Sequence, residues 1–421
     1  MDGKESSAYM DSPANAIHRA VCEDNPALLR DTLAQHPELK ARINDPDGPF
    51  DSPLINSVKS RAMLDAVLEA GADINVRSQW WAGGFGLLDT ASDDLAVYAL
   101  ERGARLDVHS AARLGRLEDL RRMVDANPNL VHARGGDGKM ALHFARNVEV
   151  AAFLVEHGAD LNARDIDHES TPAQYLIAEQ QEVVRYLVQR GCEVDIFIAA
   201  ALGDTAMAER LIQAKPDCLR WRVNAGSFPM KHPRAGGTIY QWTLGFNRSP
   251  HEVARGFGHG ETLHLLVERS PAEVRLLMHC WAGEESEVRS LLEREPNVVS
   301  RMTAFEQRQL PDAARNDDTT AVRLMLEAGL SPVSYGQHHA TPLHWACWHG
   351  NSELVPLLLE HGAPLEDADN EFAGTPLGWA IHGSENGWHR ERGNYPAVVR
   401  PSITTGEVLI ARSILVRLSM A

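Results

Sequence analysis

The chain has 421 residues, 44% of them hydrophobic, with 58 acidic against 41 basic side chains and a formal net charge of −17. That excess of negative charge repels polyanions, so nucleic acid and anionic membrane surfaces are not expected partners. Five cysteines, Cys22, Cys192, Cys218, Cys280 and Cys347, are odd in number and lack C-x-x-C spacing, which reads as reduced thiols in the cytoplasm. No apolar run reaches the length of a membrane span, and Met1 to Met10 is polar.

In chain order, residues 1–15 read as a disordered lead, and short apolar segments then alternate with helix stops. Glycines recur as stops, and the steps Gly71 to Gly103, Gly158 to Gly191 and Gly329 to Gly362 span 32, 33 and 33 residues. Ser52-Pro53-Leu54-Ile55 leads to Gly71-Ala72-Asp73-Ile74-Asn75, where Gly71 supplies the positive φ of a helix C-cap. An aromatic connection, Trp80-Trp81-Ala82-Gly83-Gly84-Phe85, precedes the next unit. Proline-second stops at Pro37, Pro128, Pro216 and Pro296 mark shorter units without a connecting finger. Between the stops, Leu and Val at three- and four-residue spacing predict amphipathic helices. Residues 221–248 interrupt the pattern with an aromatic, Gly- and Pro-containing insertion, in which Thr238-Ile239-Tyr240-Gln241-Trp242 predicts a strand after a glycine turn. The pattern resumes over 249–400, with an unusual loop from Gly383 to Asn394. Residues 401–421 fit no register and are expected to be an atypical cap or a tail, with an amphipathic helix over Glu407 to Leu418.

The fullest unit is Thr341-Pro342-Leu343-His344-Trp345-Ala346-Cys347-Trp348-His349-Gly350, followed by Leu354 to Leu359 and Gly362-Ala363. This stretch, returning in register through most of the chain, resembles the ankyrin repeat, whose signature is T-P-L-H-x-A. The resemblance implies an all-α solenoid of about eleven helix-turn-helix units with short β-hairpin fingers, in a divergent, bacterial-type array. N-terminal repeats would occupy 16–220 and C-terminal repeats 249–400.

In that family the motif threonine and histidine brace the first helical turn, so the resemblance makes Thr341, His344 and His143 structural. It also places on the ligand-facing groove the residues after the small pair of the first helix, together with the finger tips. These positions hold Trp281, Trp348, His349 and His382, with His338 on a finger. Trp379 and Trp345 occupy equivalent positions, and Trp388 and Trp242 belong to irregular segments. Seven of nine tryptophans lie at or after Trp221, which puts the working face in the second half. The expected function is therefore a platform binding a protein or another ligand on Trp281, Trp348, Trp379, Trp388, Trp242, His338, His349 and His382.

Carboxylates near the same stretch, Glu371, Asp369 and Glu385, open an alternative. Tryptophan faces stack on sugars and two acids can supply acid and base or nucleophile, so a glycoside hydrolase acting on a carbohydrate is the competing reading. No cofactor motif is present. His338, His339, His344, Cys347 and His349 cluster in sequence without the spacing of a metal motif, so no metal site is expected there.

Overall fold

The computed structural model describes residues 13–388 and 392–398. Most of the expected lead and all of 401–421, including the helix expected over Glu407 to Leu418, lie outside the described residues. The helix Pro13–Cys22 begins inside the stretch expected to be disordered. The chain divides into two compact units, one of Met1–Met207 with Arg222–Arg248 and one of Ala208–Trp221 with Ser249–Ala421.

The first unit is built from short helix pairs. Arg61–Glu69 shows why they form. Ser60 is the N-cap, its hydroxyl accepting from the Met63 amide at 3.1 Å, and Met63, Leu64 and Val67 bury one face. Gly71, at φ 98°, then turns the chain back. Consecutive pairs are tied by an asparagine. The Asn44 amide donates to the Gly71 carbonyl at 3.2 Å while its oxygen accepts from the Asp73 amide at 2.8 Å. Asn75 repeats this with Gly103 and Arg105 at 3.2 and 2.7 Å. A side chain from one repeat thus satisfies the free backbone groups at the helix end of the next.

The connections between pairs form no strand among the described residues. The hairpins expected there are turns, and one isolated antiparallel bridge joins Gly48 and Ser52. The insertion closes on itself through Val223 N–H to the Arg248 carbonyl and Asn247 N–H to the Val223 carbonyl, at 3.0 and 2.8 Å. Its predicted strand is absent, because Gln241–Gly245 is a π-helical turn. Alternation along a strand would put Tyr240 and Trp242 on the same face. The turn instead buries Tyr240 against Phe197 and Phe228, where its hydroxyl donates to Asp195 at 3.0 Å, and leaves Trp242 64% exposed.

The second unit continues the pattern with pairs such as Ala272–Ala282 with Glu285–Arg294, Gln309–Arg315 with Thr319–Glu327, and Pro342–His349 with Leu354–Glu360. One apolar core runs through these pairs, from Ala272 to Val398. The loop expected from Gly383 corrects to helix: Pro376–Asn386 is continuous, and irregular chain begins only at Gly387. The reason is close packing. A Cβ on Gly383 would stand 2.2 Å from the Trp348 carbonyl oxygen, so only glycine lets the two helices approach this far.

Candidate functional site

The repeat histidine organises the site. Thr341 caps Pro342–His349, and its amide donates to His344 Nδ1 at 3.2 Å. Nδ1 is therefore an acceptor, and Nε2–H points at the carbonyls of Asp367 and Gly374, at 2.9 and 3.0 Å. Burial lowers the pKa of this ring, keeping it neutral. The effect is a clasp: His344 holds the following finger, Asp367 to Gly374, against its own helix.

The next unit begins Thr375-Pro376-Leu377 and has Gly378 where the clasp histidine would be. The missing side chain leaves room. A cavity of about 530 Å³ opens there, walled by Trp345, Trp348, Trp379 and Trp388, with Phe372, His338 and His382 at its sides and Gly374 and Gly378 in its lining. The rings meet mostly edge to face. Trp345 and Trp379 have centroids 5.1 Å apart at 84°, Trp348 and Trp388 6.1 Å at 70°, and Trp348 and Trp379 6.2 Å at 73°. Such pairs are favourable beyond their burial. The Arg315 guanidinium lies over Trp345 and Trp388, 5.6 and 5.2 Å from their centroids. The indole N–H groups of Trp345 and Trp348 are buried without a hydrogen-bond acceptor. Behind the cavity, the Tyr395 hydroxyl meets the carbonyls of Trp348 and Gly383 at 2.8 and 2.9 Å and locks the two helices together.

The sequence candidates separate in this geometry. Trp348, Trp379, Trp388, His338 and His382 line the cavity, as does Trp345. His349 does not. It is buried, its Nε2 meets the Arg315 carbonyl at 2.8 Å, and it ties its helix to the preceding repeat. Trp281 packs partly buried against the core of the same unit, away from the lining. Trp242 belongs to the first unit, where it packs on His168. None of the three candidate carboxylates lines the cavity. Glu371 meets His338 Nδ1 at 2.7 Å, Asp369 meets His339 through its main-chain oxygen at 2.5 Å, and Glu385 is exposed. A glycosidase needs two carboxyl groups flanking the scissile bond, and this cavity presents none. Phe372, Gly374, Gly378 and Arg315 were not among the sequence candidates. The signal for Gly378 was present as T-P-L-G standing in the register of T-P-L-H.

Comparison with known families follows the same register. A model described as ankyrin repeats matches in three copies, over residues 108–198, 250–369 and 310–387, which together exceed half of the chain. The chain belongs to the ankyrin-repeat family. Among proteins similar to it are the mouse ankyrin repeat and SOCS box protein 16, 28% identical over 210 residues, 48% of this chain and 44% of that protein. The Arabidopsis thaliana E3 ubiquitin-protein ligase KEG is 23% identical over 290 residues, 58% of this chain and 18% of that protein. The rat ankyrin repeat and SAM domain-containing protein 6 is 27% identical over 147 residues, 32% of this chain and 16% of that protein. The chain thus spans less than half the length of these ankyrin relatives, and nothing in them supports a bacterial-type array. Among the described residues no helix is long and apolar enough to cross a membrane.

Proposed function

We propose that this ankyrin-repeat chain is a protein-binding platform, and that it captures its partner by seating an apolar or aromatic side chain in the tryptophan cavity of the second unit. Ankyrin repeats over more than half of the chain support a protein partner, and proteins named for their ankyrin repeats are among those similar to it. The expected array of about eleven units with fingers supplies the frame.

The observation that carries the reading is the aromatic-walled cavity beside a missing clasp side chain. A volume of about 530 Å³ falls within the roughly 300–1,000 Å³ typical of ligand sites. Arg315 already occupies the faces of Trp345 and Trp388, which disfavours a second cation and leaves a flat or branched apolar group as the fitting occupant. The unpaired indole donors of Trp345 and Trp348 favour an occupant that brings an acceptor such as a main-chain carbonyl. Tryptophan clusters of this kind are typical interface hot spots.

The test is selection of binders from a random peptide library on the full chain, followed by binding to Trp348→Ala and Trp388→Ala. The expected binders carry a shared apolar or aromatic anchor and lose at least tenfold in affinity on both variants, about 1.4 kcal/mol. Binders that hold both variants as tightly as the native chain refute the placement.

A further inference from the structure

A second site lies in the first unit, on residues with no part in the tryptophan cavity. Asp137, Asp167 and His168 are each at most 8% exposed, and one donor atom from each lies within 4.8 Å of the others. We propose that these three side chains bind one divalent transition-metal ion, of the manganese or zinc class.

Three separate segments build the cluster. Asp137 sits in the turn Gly136–Gly138 at φ 58°, a left-handed conformation that aspartate tolerates better than most residues. Its carbonyl accepts from the amides of Ile166 and Asp167, at 2.8 and 3.2 Å, pinning one finger to the next. Asp167 Oδ1 accepts from the Gly236 amide of the insertion at 3.1 Å. His168 Nδ1 lies 2.8 Å from the Gly237 carbonyl, an atom that only accepts, so Nδ1 carries the hydrogen and Nε2 presents a lone pair.

That arrangement is what a metal-ligating histidine requires, with one ring nitrogen donating to a main-chain carbonyl and the other free to coordinate. The His168 side chain is nine-tenths buried, yet Nε2 makes no hydrogen bond. Asp167 Oδ2 stands 3.6 Å from it, too far to bond and near the separation of two neighbouring ligands around one ion. Gly236 keeps the space open, since a Cβ there would meet His168 Cε1 at 3.2 Å and Asp167 Oδ2 at 3.3 Å. Trp242 packs on the imidazole, with centroids 5.0 Å apart.

The charge balance points the same way. Asp137 and Asp167 bring two carboxylates together, with Asp165 hydrogen-bonded to the amides of His168 and Ser170 alongside. The facing cation is Lys139, whose Nζ is 3.4 Å from Asp137 Oδ2 and is enclosed by the rings of Phe144, Tyr175 and Phe85. One ammonium offsets one carboxylate, and a divalent ion would offset the remainder. One imidazole with two carboxylates suits manganese, iron or zinc, whereas calcium and magnesium favour all-oxygen sets.

The test uses the full chain freed of metal by chelation and titrated with Mn²⁺ by electron paramagnetic resonance, because Mn²⁺, unlike zinc, has little affinity for a thiol such as the exposed Cys22. The expected result is one Mn²⁺ per chain in the submillimolar range, displaced by Zn²⁺. Binding should weaken by about 10–100-fold or more in Asp167→Asn and His168→Gln, since loss of even an outer-shell partner costs that much. Lys139→Met guards against variants that simply misfold. Removing the competing cation should lower the melting temperature without metal and make Mn²⁺ restore it. No Mn²⁺ or Zn²⁺ bound by the native chain, binding unchanged in both ligand variants, or a Lys139→Met chain that metal does not rescue would each overturn the assignment.

Discussion

His143→Gln is expected to remove an acid sensitivity that the repeat motif builds into the first unit. His143 is buried, accepts from the Met140 amide at Nδ1 at 3.2 Å, and directs Nε2 at the Ser170 carbonyl at 3.2 Å. Burial pushes its pKa down from 6.5 to about 3, and the nearby Lys139 charge pushes the same way. The unfolded chain therefore takes up a proton near pH 6.5 and the folded chain only near pH 3. Between those values the unfolded state binds more protons, so the stability contributed by neutral His143 is full above pH 6.5 and is lost as the pH falls. At about 1.4 kcal/mol per unit, the loss reaches about 2 kcal/mol by pH 5 and on the order of 4 kcal/mol across the window. Glutamine is the right replacement because the chain already uses it. In Thr171-Pro172-Ala173-Gln174, Gln174 Oε1 accepts from the Thr171 amide at 2.9 Å and its Nε2 donates to Asp195 at 3.2 Å. Urea unfolding of both proteins at pH 7 and pH 5 should show the native chain losing about 2 kcal/mol more than the variant. Parallel losses, or a His143 ring that titrates near 6.5 by NMR in the folded chain, would refute the reasoning.

Gly378→Ala and Gly383→Ala should act in opposite directions on the melting temperature. A Cβ at Gly378 meets only Thr375 Oγ1 at 3.7 Å and gains about 0.5–1 kcal/mol of helix propensity while narrowing the cavity. At Gly383 the clash with the Trp348 carbonyl forces the helices apart, at a cost of about 1–3 kcal/mol or more. Tyr395→Phe leaves the Trp348 and Gly383 carbonyls without their shared donor, and should cost about 1–3 kcal/mol and increase acrylamide quenching of tryptophan fluorescence. In native conditions at pH 8 a thiol reagent should label Cys22, which is exposed, and spare Cys280 and Cys347, whose burial pushes them up to about 12; mass spectrometry of labelled peptides reads this directly.

The register was legible because a repeat declares its period. Gly71, Thr341 and His344 do what their positions imply, and the aromatic positions read as ligand-facing brought Trp348, Trp379, Trp388, His338 and His382 to one cavity. What failed was lateral placement. His349 is adjacent to Trp348 in sequence, yet the helix turns it back onto the Arg315 carbonyl, and Trp281 packs on its own core. Trp242 was grouped with the second half by counting tryptophans, whereas the insertion that carries it folds into the first unit through Tyr240 and Asp195. The Asp137, Asp167 and His168 cluster was invisible for the same reason. Its assembly depends on Gly236 and Gly237 returning to residues 69 positions earlier in the chain, and no local period encodes that contact.

Both candidate sites nonetheless share a feature that the repeat pattern can expose. At Gly378 the clasp histidine is absent, and the glycine lines the cavity. At Asp137 the left-handed finger turn, which holds Phe50 and His338 at φ 58° and 59° in other repeats, instead buries a carboxylate between two glycines. A repeat array is stabilised by doing the same thing at each step, so a position that departs from the rule and costs stability needs another reason to be there. On that argument Gly378 and Asp137 are two departures among the described residues, and the binding proposed at each would supply the reason.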